Sequence, residues 1–340
     1  MHDFYSDTKT KPSRAMREAV LAADVGDEQK DEDNTTRALC DRVAKLLGKE
    51  AAVFLPSGTM CNEIAIKVHI RPGEEVICER SCHIVNFEGG APAAYSGAMI
   101  KALDGERGTL DPEQVKSAIA SGSRYTPQSR LLCVEQTANM SGGTVWPVDQ
   151  LHAVASVAKD ADMATHMDGA RLMNAVVKSG VSASSQCSGY DSCWIDFSKG
   201  LGAPVGAVLA GSNEFIERAW FIKQQMGGAM RQSGILAAMC LYALDHNIER
   251  LSDDHVLAQS ISEQISALAK VSHMLPVDTN IVIFDLAQDA VSASELVQLC
   301  AHDGFKIGAF GAQRIRIVTH LDVDRNAGNA LCECLAKHLG

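Results

Sequence analysis

Short apolar runs alternate with segments in which apolar residues recur every three or four positions, up to about residue 250. Helical spacing predicts helices over residues 112–120 and 148–158. The runs predicted to be strands cover residues 51–55, 131–135, 163–167 and 191–197. Strands that alternate with helices form a mostly parallel sheet with both faces covered, so the pattern predicts an α/β fold.

Two predicted helix starts lie near the N-terminus. Thr35 is expected to cap a helix that Gly48 ends, and the segment 56–60 is expected to turn into a helix that begins near Asn62. A turn of this kind leaves free backbone N–H groups at the positive end of the helix dipole, where a phosphate binds. The same segment is also typical of an ordinary helix cap.

The pattern changes near residue 250. Helical spacing over residues 251–271 is followed by a strand at 280–284, a helix at 294–301 and a strand at 314–318. We therefore predict a large domain over residues 1–250 and a smaller α+β domain over residues 251–340.

Composition narrows the classes of partner. The chain has 340 residues, of which 46% are hydrophobic and 21% charged, as expected for a globular protein. Its formal net charge of −11 argues against nucleic acid and anionic membranes and favours a small-molecule partner. The sequence shows neither a run of about 18 apolar residues nor the features of a signal peptide at its start, which predicts a cytoplasmic location.

The cysteines indicate reduced core thiols. Their number, eleven, is odd, and they are scattered through apolar segments, so no structural disulfide is expected. The segment Cys78–His83 is the best candidate for metal binding. Because no second cluster has zinc-like spacing, we predict no metal site.

Chemically active residues follow two of the predicted strands. Asp168 and Arg171 come after the strand at 163–167, and Lys199 comes after the strand at 191–197. The carboxyl ends of parallel strands meet at one edge of a sheet, where ligands bind. A lysine there can attack a carbonyl, and an acid can keep a pyridine nitrogen protonated, which together predict pyridoxal 5′-phosphate. Taken singly, a solvated lysine and a turn aspartate explain the same residues.

Segments spread over nearly the whole chain resemble the threonine aldolases, among the fold-type I pyridoxal phosphate enzymes. The matching segments are 5–12, 25–27, 56–62, 166–175, 198–206, 227–232 and 316–320. The resemblance implies a large domain with a mostly parallel seven-stranded sheet, a smaller C-terminal domain, and a homotetramer built as a dimer of dimers with active sites between subunits.

The resemblance also implies roles for cofactor-binding residues. Lys199 matches the Schiff-base lysine, Asp168 the partner of the pyridine nitrogen, and His83 the histidine that stacks on the ring and helps to move protons. The phosphate is expected at Gly58 and Thr59, with Ser198 as a weaker candidate. Arg231 matches a cofactor-side arginine that reaches across a subunit boundary.

Three further residues, Ser6, Arg171 and Arg316, match positions that hold the substrate α-carboxylate. The departures lie on the substrate side: Ala138 stands where the family has a histidine against the β-hydroxyl, and Lys30 where it commonly has tyrosine. With His83 or a bound water as the base, the chain remains an aldolase that releases glycine from an amino acid of the L-threonine or L-allo-threonine type. Ala138 would enlarge the pocket for a bulky β-substituent, and Lys30 would receive an acidic one. The alternatives are β-elimination, racemisation and a cofactor carrier without turnover.

Overall fold

The computed structural model describes residues 1–120 and 122–340. The strands are β1 (His2–Asp3), β2 (Ala51–Leu55), β3 (Glu75–Glu79), β4 (Met99–Leu103), β5 (Ser129–Glu135), β6 (Ala164–Asp168), β7 (Ser192–Asp196), β8 (Ala207–Gly211), β9 (Val271–Met274), β10 (Ile281–Leu286), β11 (Phe305–Lys306), β12 (Gly308–Ala309) and β13 (Arg314–Val318). The helices are α1 (Arg14–Glu18), α2 (Asn34–Leu47), α3 (Gly58–His69), α4 (His83–Asn86), α5 (Ala91–Ser96), α6 (Pro112–Ala118), α7 (Val148–Asp160), α8 (Leu172–Ser179), α9 (Ala183–Gln186), α10 (Asn213–Gln225), α11 (Gly234–His246), α12 (Leu251–Ile265), α13 (Ala293–His302) and α14 (Arg325–Leu339).

Seven strands of the described residues form the main sheet, in the order β2-β8-β7-β6-β5-β3-β4. The contacts from β7 through β6, β5 and β3 to β4 are parallel, and β8 is antiparallel to both of its neighbours. Helices cover both faces, as the near-continuous burial of the central strands requires. The predicted mostly parallel α/β fold is confirmed.

A smaller antiparallel sheet, β12-β13-β10-β9, lies in the C-terminal part of the chain. Its apolar face packs with α12, α13 and α14 in a second core that contains Phe284, Ile317 and Leu331. Phe4 of the N-terminal arm is also buried in this core, and β1 pairs in parallel with β11. The division of domains near residue 250 stays a prediction.

Both predicted helix starts were placed too late. Helix α2 is capped by Asp33 rather than Thr35, because the Asp33 carboxylate accepts a hydrogen bond from the Thr36 N–H at 2.8 Å. Helix α3 begins at Gly58 rather than near Asn62, with the Ser57 hydroxyl as its cap. Gly48 ends α2 in the left-handed conformation, as predicted.

The other predicted elements are present with bounds that differ by a few residues. Several elements were not predicted, among them β3, β4 and β8 of the main sheet. The helical segment predicted for residues 251–271 ends earlier, at Ile265, and Val271 begins β9. Within the described residues, every helix is too short or too polar to span a bilayer.

Candidate active site

The carboxyl ends of β6 and β7 bring the predicted acid and amine to one edge of the sheet. Asp168 is the last residue of β6, and Lys199 follows the end of the adjacent parallel strand β7 by three residues. A cavity of about 210 Å³ opens at this edge. Its walls consist of Tyr5, Ser6, Thr8, His83, Phe87, Glu135, Thr137, Asn139, Ala170, Arg171, Lys199, Phe310 and Arg316.

The Lys199 amine is held at the cavity by Asp196, the last residue of the preceding strand β7. Lys199 Nζ lies 2.9 Å from Asp196 Oδ2 and 5.8 Å from the centroid of the Trp194 ring. The other oxygen of Asp196 accepts hydrogen bonds from the Ser198 N–H at 2.8 Å and the Ser198 hydroxyl at 2.7 Å. Asp196, which the sequence reasoning missed, therefore orients both Lys199 and Ser198. Ser198 lies outside the cavity wall, and its phosphate role stays a prediction.

Asp168 is 2% exposed and lies behind the cavity wall. One of its oxygens accepts a hydrogen bond from the Ala170 N–H at 3.0 Å, and the other accepts one from Asn62 Nδ2 at 2.8 Å. Burial raises the pKa of Asp168, and the charges of His83 and Lys199 oppose that rise. A buried acid of this kind is stabilised as an anion by a positively charged partner.

The imidazole of His83 lines the cavity with one nitrogen already engaged. His83 Nδ1 lies 2.8 Å from Glu88 Oε1. Since a carboxylate only accepts hydrogen bonds, Nδ1 carries the proton in the neutral ring and Nε2 is an acceptor. Burial lowers the pKa of His83, but the hydrogen bond to Glu88 and the charge of Asp168 outweigh it, so that the pKa is raised overall.

The two arginines in the wall differ in how their charges are balanced. Arg171 makes two 2.7 Å hydrogen bonds to Asp7, which Nε and Nη2 donate to separate carboxylate oxygens. Arg316 donates from Nη2 to Asn139 Oδ1 at 2.8 Å, and its buried Nε has no partner among the described residues. Burial and the charge of Arg171 lower the pKa of Arg316 to about 10. Arg316 is thus the cation that lacks a directly bonded carboxylate.

Ser6 lies in the same wall, next to Asp7 in sequence. Its hydroxyl oxygen accepts a hydrogen bond from the Thr8 N–H at 3.2 Å. The structure therefore brings Ser6, His83, Arg171, Lys199 and Arg316 together around one cavity, as the sequence predicted.

The start of α3 is built against the same indole that faces Lys199. A Cβ atom on Gly58 would lie 2.2 Å from Trp194 Cη2, so only glycine fits there. Ser57 accepts a hydrogen bond from the Met60 N–H at 3.2 Å. The N–H groups of Gly58 and Thr59, as the first two of the helix, have no acceptor within it and are available to an anion.

Seven predicted residues lie outside the cavity wall: Gly58, Thr59, Asp168 and Ser198, described above, and Lys30, Ala138 and Arg231. The side chain of Arg231 is 60% exposed and pairs with Asp27 at 2.8 Å, and Lys30 is exposed at the surface. Ala138 is 3% exposed and lies against Gly108, so within this chain it does not enlarge the cavity. Their binding roles stay predictions.

Glu135 is a wall residue that the sequence analysis included only as the last residue of a predicted strand. Its carboxylate accepts hydrogen bonds from the His83 N–H at 2.6 Å and the Asn139 N–H at 2.7 Å. Burial and the charge of Asp168 raise its pKa to about 7. A group with this pKa can give or take a proton at neutral pH.

The residues of the site fit pyridoxal 5′-phosphate. They supply an amine, a buried acid, an imidazole and the open N–H groups at the start of α3. The hydroxyl of Thr137, in the cavity wall, is buried and has no hydrogen-bond partner among the described residues, as expected where a polar group of a ligand belongs.

Comparison with known proteins agrees with this geometry. Residues 3–289 match the beta-eliminating lyase family. The chain is 39% identical over 342 residues to low-specificity L-threonine aldolase 1 of Arabidopsis thaliana, covering 98% of this chain and 95% of that one. It is also 39% identical over 326 residues to the low specificity L-threonine aldolase of Escherichia coli strain K12, with 96% and 95% covered.

Solved structures show the same fold. A threonine aldolase from Leishmania major superposes with a TM-score of 0.86 over all of both chains, at 18% identity. An aspartate aminotransferase from Thermus thermophilus superposes with a TM-score of 0.71 over 100% of this chain and 99% of that one, at 17% identity.

Proposed function

The chain belongs to the beta-eliminating lyase family and is a pyridoxal 5′-phosphate-dependent lyase, and we propose that it cleaves a β-hydroxy-α-amino acid of the L-threonine or L-allo-threonine type into glycine and an aldehyde. The observation that carries the proposal is the shared cavity of Lys199, His83 and Arg316, which offers an amine, a base and a carboxylate-binding cation to one small amino acid.

Arg316 is the anchor for the substrate α-carboxylate. Its charge has no directly bonded carboxylate, and a guanidinium binds a carboxylate through two parallel hydrogen bonds. Ser6 contributes a hydroxyl beside it. Arg171, which is already paired with Asp7, stabilises the cavity wall. By fixing the carboxylate, these residues determine which bond at the α-carbon is presented for cleavage.

The chemistry that pyridoxal 5′-phosphate supplies when bound is the withdrawal of electrons from the α-carbon of a covalently held amino acid. Asp168 would hold its ring nitrogen, Gly58, Thr59 and Ser198 its phosphate, and His83 would lie over the ring. Lys199 would bind its aldehyde carbon, as the lysine of the cavity wall in the described part of the chain.

His83 takes the proton of the β-hydroxyl. Nε2 is the free acceptor of the ring, and the Glu88 carboxylate at Nδ1 stabilises the imidazolium that forms. This arrangement supplies a base although Ala138 offers none. Loss of the β-hydroxyl proton breaks the Cα–Cβ bond of the substrate, and the aldehyde leaves. Lys199 then gives a proton to the α-carbon, His83 returns the hydroxyl proton to Lys199, and glycine leaves the cavity.

β-Elimination is the second candidate. Glu135 lies in the cavity wall with a pKa raised to about 7, so it can protonate a departing β-hydroxyl. That reaction yields a keto acid and ammonia instead of glycine and an aldehyde.

We propose further that the chain acts in the cytoplasm as a homotetramer built as a dimer of dimers, with residues 1–250 and 251–340 as its two domains. Exposure of the Arg231 side chain supports shared active sites, because a cofactor-side role for it requires the cavity of a neighbouring subunit. Lys30, likewise exposed, is available to an acidic β-substituent there.

The experiment that tests the function is a substrate panel with the cofactor-loaded enzyme. L-Threonine, L-allo-threonine, phenylserine and hydroxyaspartate are each assayed for glycine, and for keto acid and ammonia. We expect glycine from at least one of them. Keto acid and ammonia without glycine would select β-elimination, and the absence of every product would refute the proposal.

A further inference from the structure

Two buried carboxyl groups, those of Glu63 and Glu88, lie behind His83. Glu63 is on α3 and is 2% exposed. Neither of its oxygens has a hydrogen-bond donor among the described residues, and the same holds for Glu88 Oε2. Buried polar groups are rarely left without a partner, so three such oxygens in one place require an explanation.

One shared proton joins one oxygen of Glu63 to Glu88 Oε2 and leaves the remaining Glu63 oxygen on a neutral carboxyl group, where the lack of a donor costs less. The side chains of Glu63 and Glu88 are within hydrogen-bonding reach of each other. Two buried anions in contact repel each other, whereas a carboxylic acid donates its O–H to a neighbouring carboxylate. Burial, reinforced by the hydrogen bond and the charge of Glu88, raises the pKa of Glu63 to about 9.

The hydrogen bonds around Glu88 show which of the two carboxyls is the anion. Glu88 Oε1 accepts from His83 Nδ1 at 2.8 Å and from Asn62 Nδ2 at 2.7 Å. The orientation of the Asn62 amide is fixed, because its oxygen accepts from Trp194 Nε1 at 2.8 Å and lies 3.1 Å from His166 Nε2. Two donors at one oxygen favour the ionised form of Glu88, which leaves the proton on Glu63.

The same amide connects this pair to Asp168. Asn62 Nδ2 donates both to Glu88 and, at 2.8 Å, to Asp168 Oδ2. Glu88 therefore contacts the proposed base, His83, directly, and it is linked to the buried acid Asp168 through the Asn62 amide.

We propose that Glu63 is a positioning residue that stays protonated, donates its hydrogen bond to Glu88 Oε2, and thereby limits how strongly Glu88 raises the basicity of His83. The inference rests on the proposed function in that it takes His83 as the base. A carboxylate that receives an additional hydrogen bond is a weaker acceptor toward its other partners. Loss of the Glu63 donor should therefore raise the basicity of His83.

Other titratable groups act on the same cluster and bear on any pH dependence. They are Cys61 on α3, Cys133 and Glu135 on β5, His166 and Asp168 on β6, and Asp196 and Lys199 at the end of β7. Because a single substitution leaves these groups in place, differences between variants at position 63 isolate the contribution of Glu63.

The first test measures stability and needs no substrate. The folded-state pKa of Glu63 is raised, so the folded protein holds a proton that the unfolded chain releases, and wild-type stability falls as pH rises from about 4.5 to about 9. Glu63→Gln has no such proton. We expect the wild-type Tm to fall relative to that of Glu63→Gln by roughly 5 °C between about pH 6 and about pH 9.

The matched control is Glu79→Gln. Glu79 is also a buried glutamate, but its carboxylate is supplied with hydrogen bonds by the N–H and hydroxyl of Ser81. We therefore expect the difference in Tm between wild type and Glu79→Gln to stay constant between about pH 6 and about pH 9. Parallel pH curves for wild type and Glu63→Gln would refute a protonated Glu63.

The second test measures the pH profile of kcat/KM for glycine release. Glu63→Leu removes the donor, and its acid limb should move up by roughly half to one pH unit. Glu63→Gln keeps an N–H donor and should restore the wild-type limb. An unmoved limb in Glu63→Leu would refute the link to His83, whereas the absence of glycine from all variants would refute the proposed function and leave the stability test standing.

Discussion

At the scale of single residues, charge balance separates two arginines that the sequence presents alike. Arg171 is neutralised by Asp7 through two hydrogen bonds in a buried setting. Among the described residues, Arg316 hydrogen-bonds to the neutral Asn139 and lies over the Phe310 ring, with no carboxylate bonded to it. A buried cation without a carboxylate is costly, and an anionic ligand offsets that cost, so a substrate carboxylate stabilises Arg316 more than the already paired Arg171.

Arg316→Lys is expected to weaken substrate binding. Lysine keeps the charge but cannot make two parallel hydrogen bonds to a carboxylate. We expect KM for the amino acid to rise about 10- to 100-fold, with a smaller change in kcat. Steady-state kinetics check this, with the absorbance of the bound cofactor as a control for an intact site. An unchanged KM would assign the carboxylate to another residue.

Lys199→Ala is expected to abolish the function of the site. The substitution removes the amine that lies beside Asp196, and no other lysine lines the cavity in the described part of the chain. Turnover should fall at least about a thousand-fold, together with the absorbance that arises when the cofactor is joined to the protein. Absorption spectra and glycine assays on the purified variant measure both. Full retention of turnover would contradict the assignment of Lys199.

The sequence predicted the residues that are proposed to carry the chemistry but not those that hold them in place. Lys199 and Asp168 follow predicted strands, and His83 was identified by the resemblance to the threonine aldolases. Asp7 meets Arg171 across 164 positions of sequence, and Glu88 meets Asn62 across 26. Local patterns do not contain such pairings, because they arise only when distant elements fold together.

At the scale of elements, the start of α3 is defined by one close contact. Gly58 approaches Trp194 of β7 where any Cβ would overlap the ring, and this contact aligns the first turn of the helix beside Lys199. The sequence placed the helix start four residues late, because the Gly-Thr pair is also compatible with a turn. The free N–H groups of a helix start in this segment were nevertheless predictable, whereas their binding of a phosphate stays a prediction.

Gly58→Ala is expected to disturb this element. The new methyl group would lie 2.2 Å from the Trp194 ring, which forces the helix start or the indole to shift. We expect a loss of about 1–3 kcal/mol in the free energy of unfolding and weaker retention of the cofactor. Denaturant unfolding and dialysis of the cofactor-loaded protein measure the two effects. Trp194→Phe in the same background should recover part of the loss by making room for the methyl group.

Strand direction was the element-scale property that the sequence did not supply. The apolar run of β8 is buried like its neighbours, yet it is antiparallel to both β2 and β7. Hydrophobic periodicity reports burial, and it says nothing about which way a short buried strand points. The parallel sheet that contains β5, β6 and β7 was predicted because helices alternate with strands in the sequence pattern, as at residues 148–158 between β5 and β6.

At the scale of the whole molecule, the N-terminal arm connects the C-terminal core to the cavity. Phe4 is fully buried in that core, its N–H donates to Lys306 O at 2.8 Å, and its carbonyl accepts from the Val318 N–H at 2.9 Å. Ser6 and Asp7 follow directly and reach the cavity and Arg171. The geometry of the substrate anchors thus depends on packing in a distant part of the chain.

Phe4→Ala tests this dependence. Emptying a fully buried phenylalanine site costs about 3–5 kcal/mol of unfolding free energy. Because the arm also positions Ser6 and Asp7, KM for the amino acid should rise in protein that is still folded. The control is Leu21→Ala, because Leu21 is 89% exposed. It should change the free energy of unfolding by no more than about 0.5 kcal/mol and leave KM essentially unchanged. Lower stability with an unaltered KM would show that Phe4 stabilises the C-terminal core but does not fix the positions of Ser6 and Asp7. The loss of packing at position 4 would then leave the geometry of the substrate-binding residues unchanged.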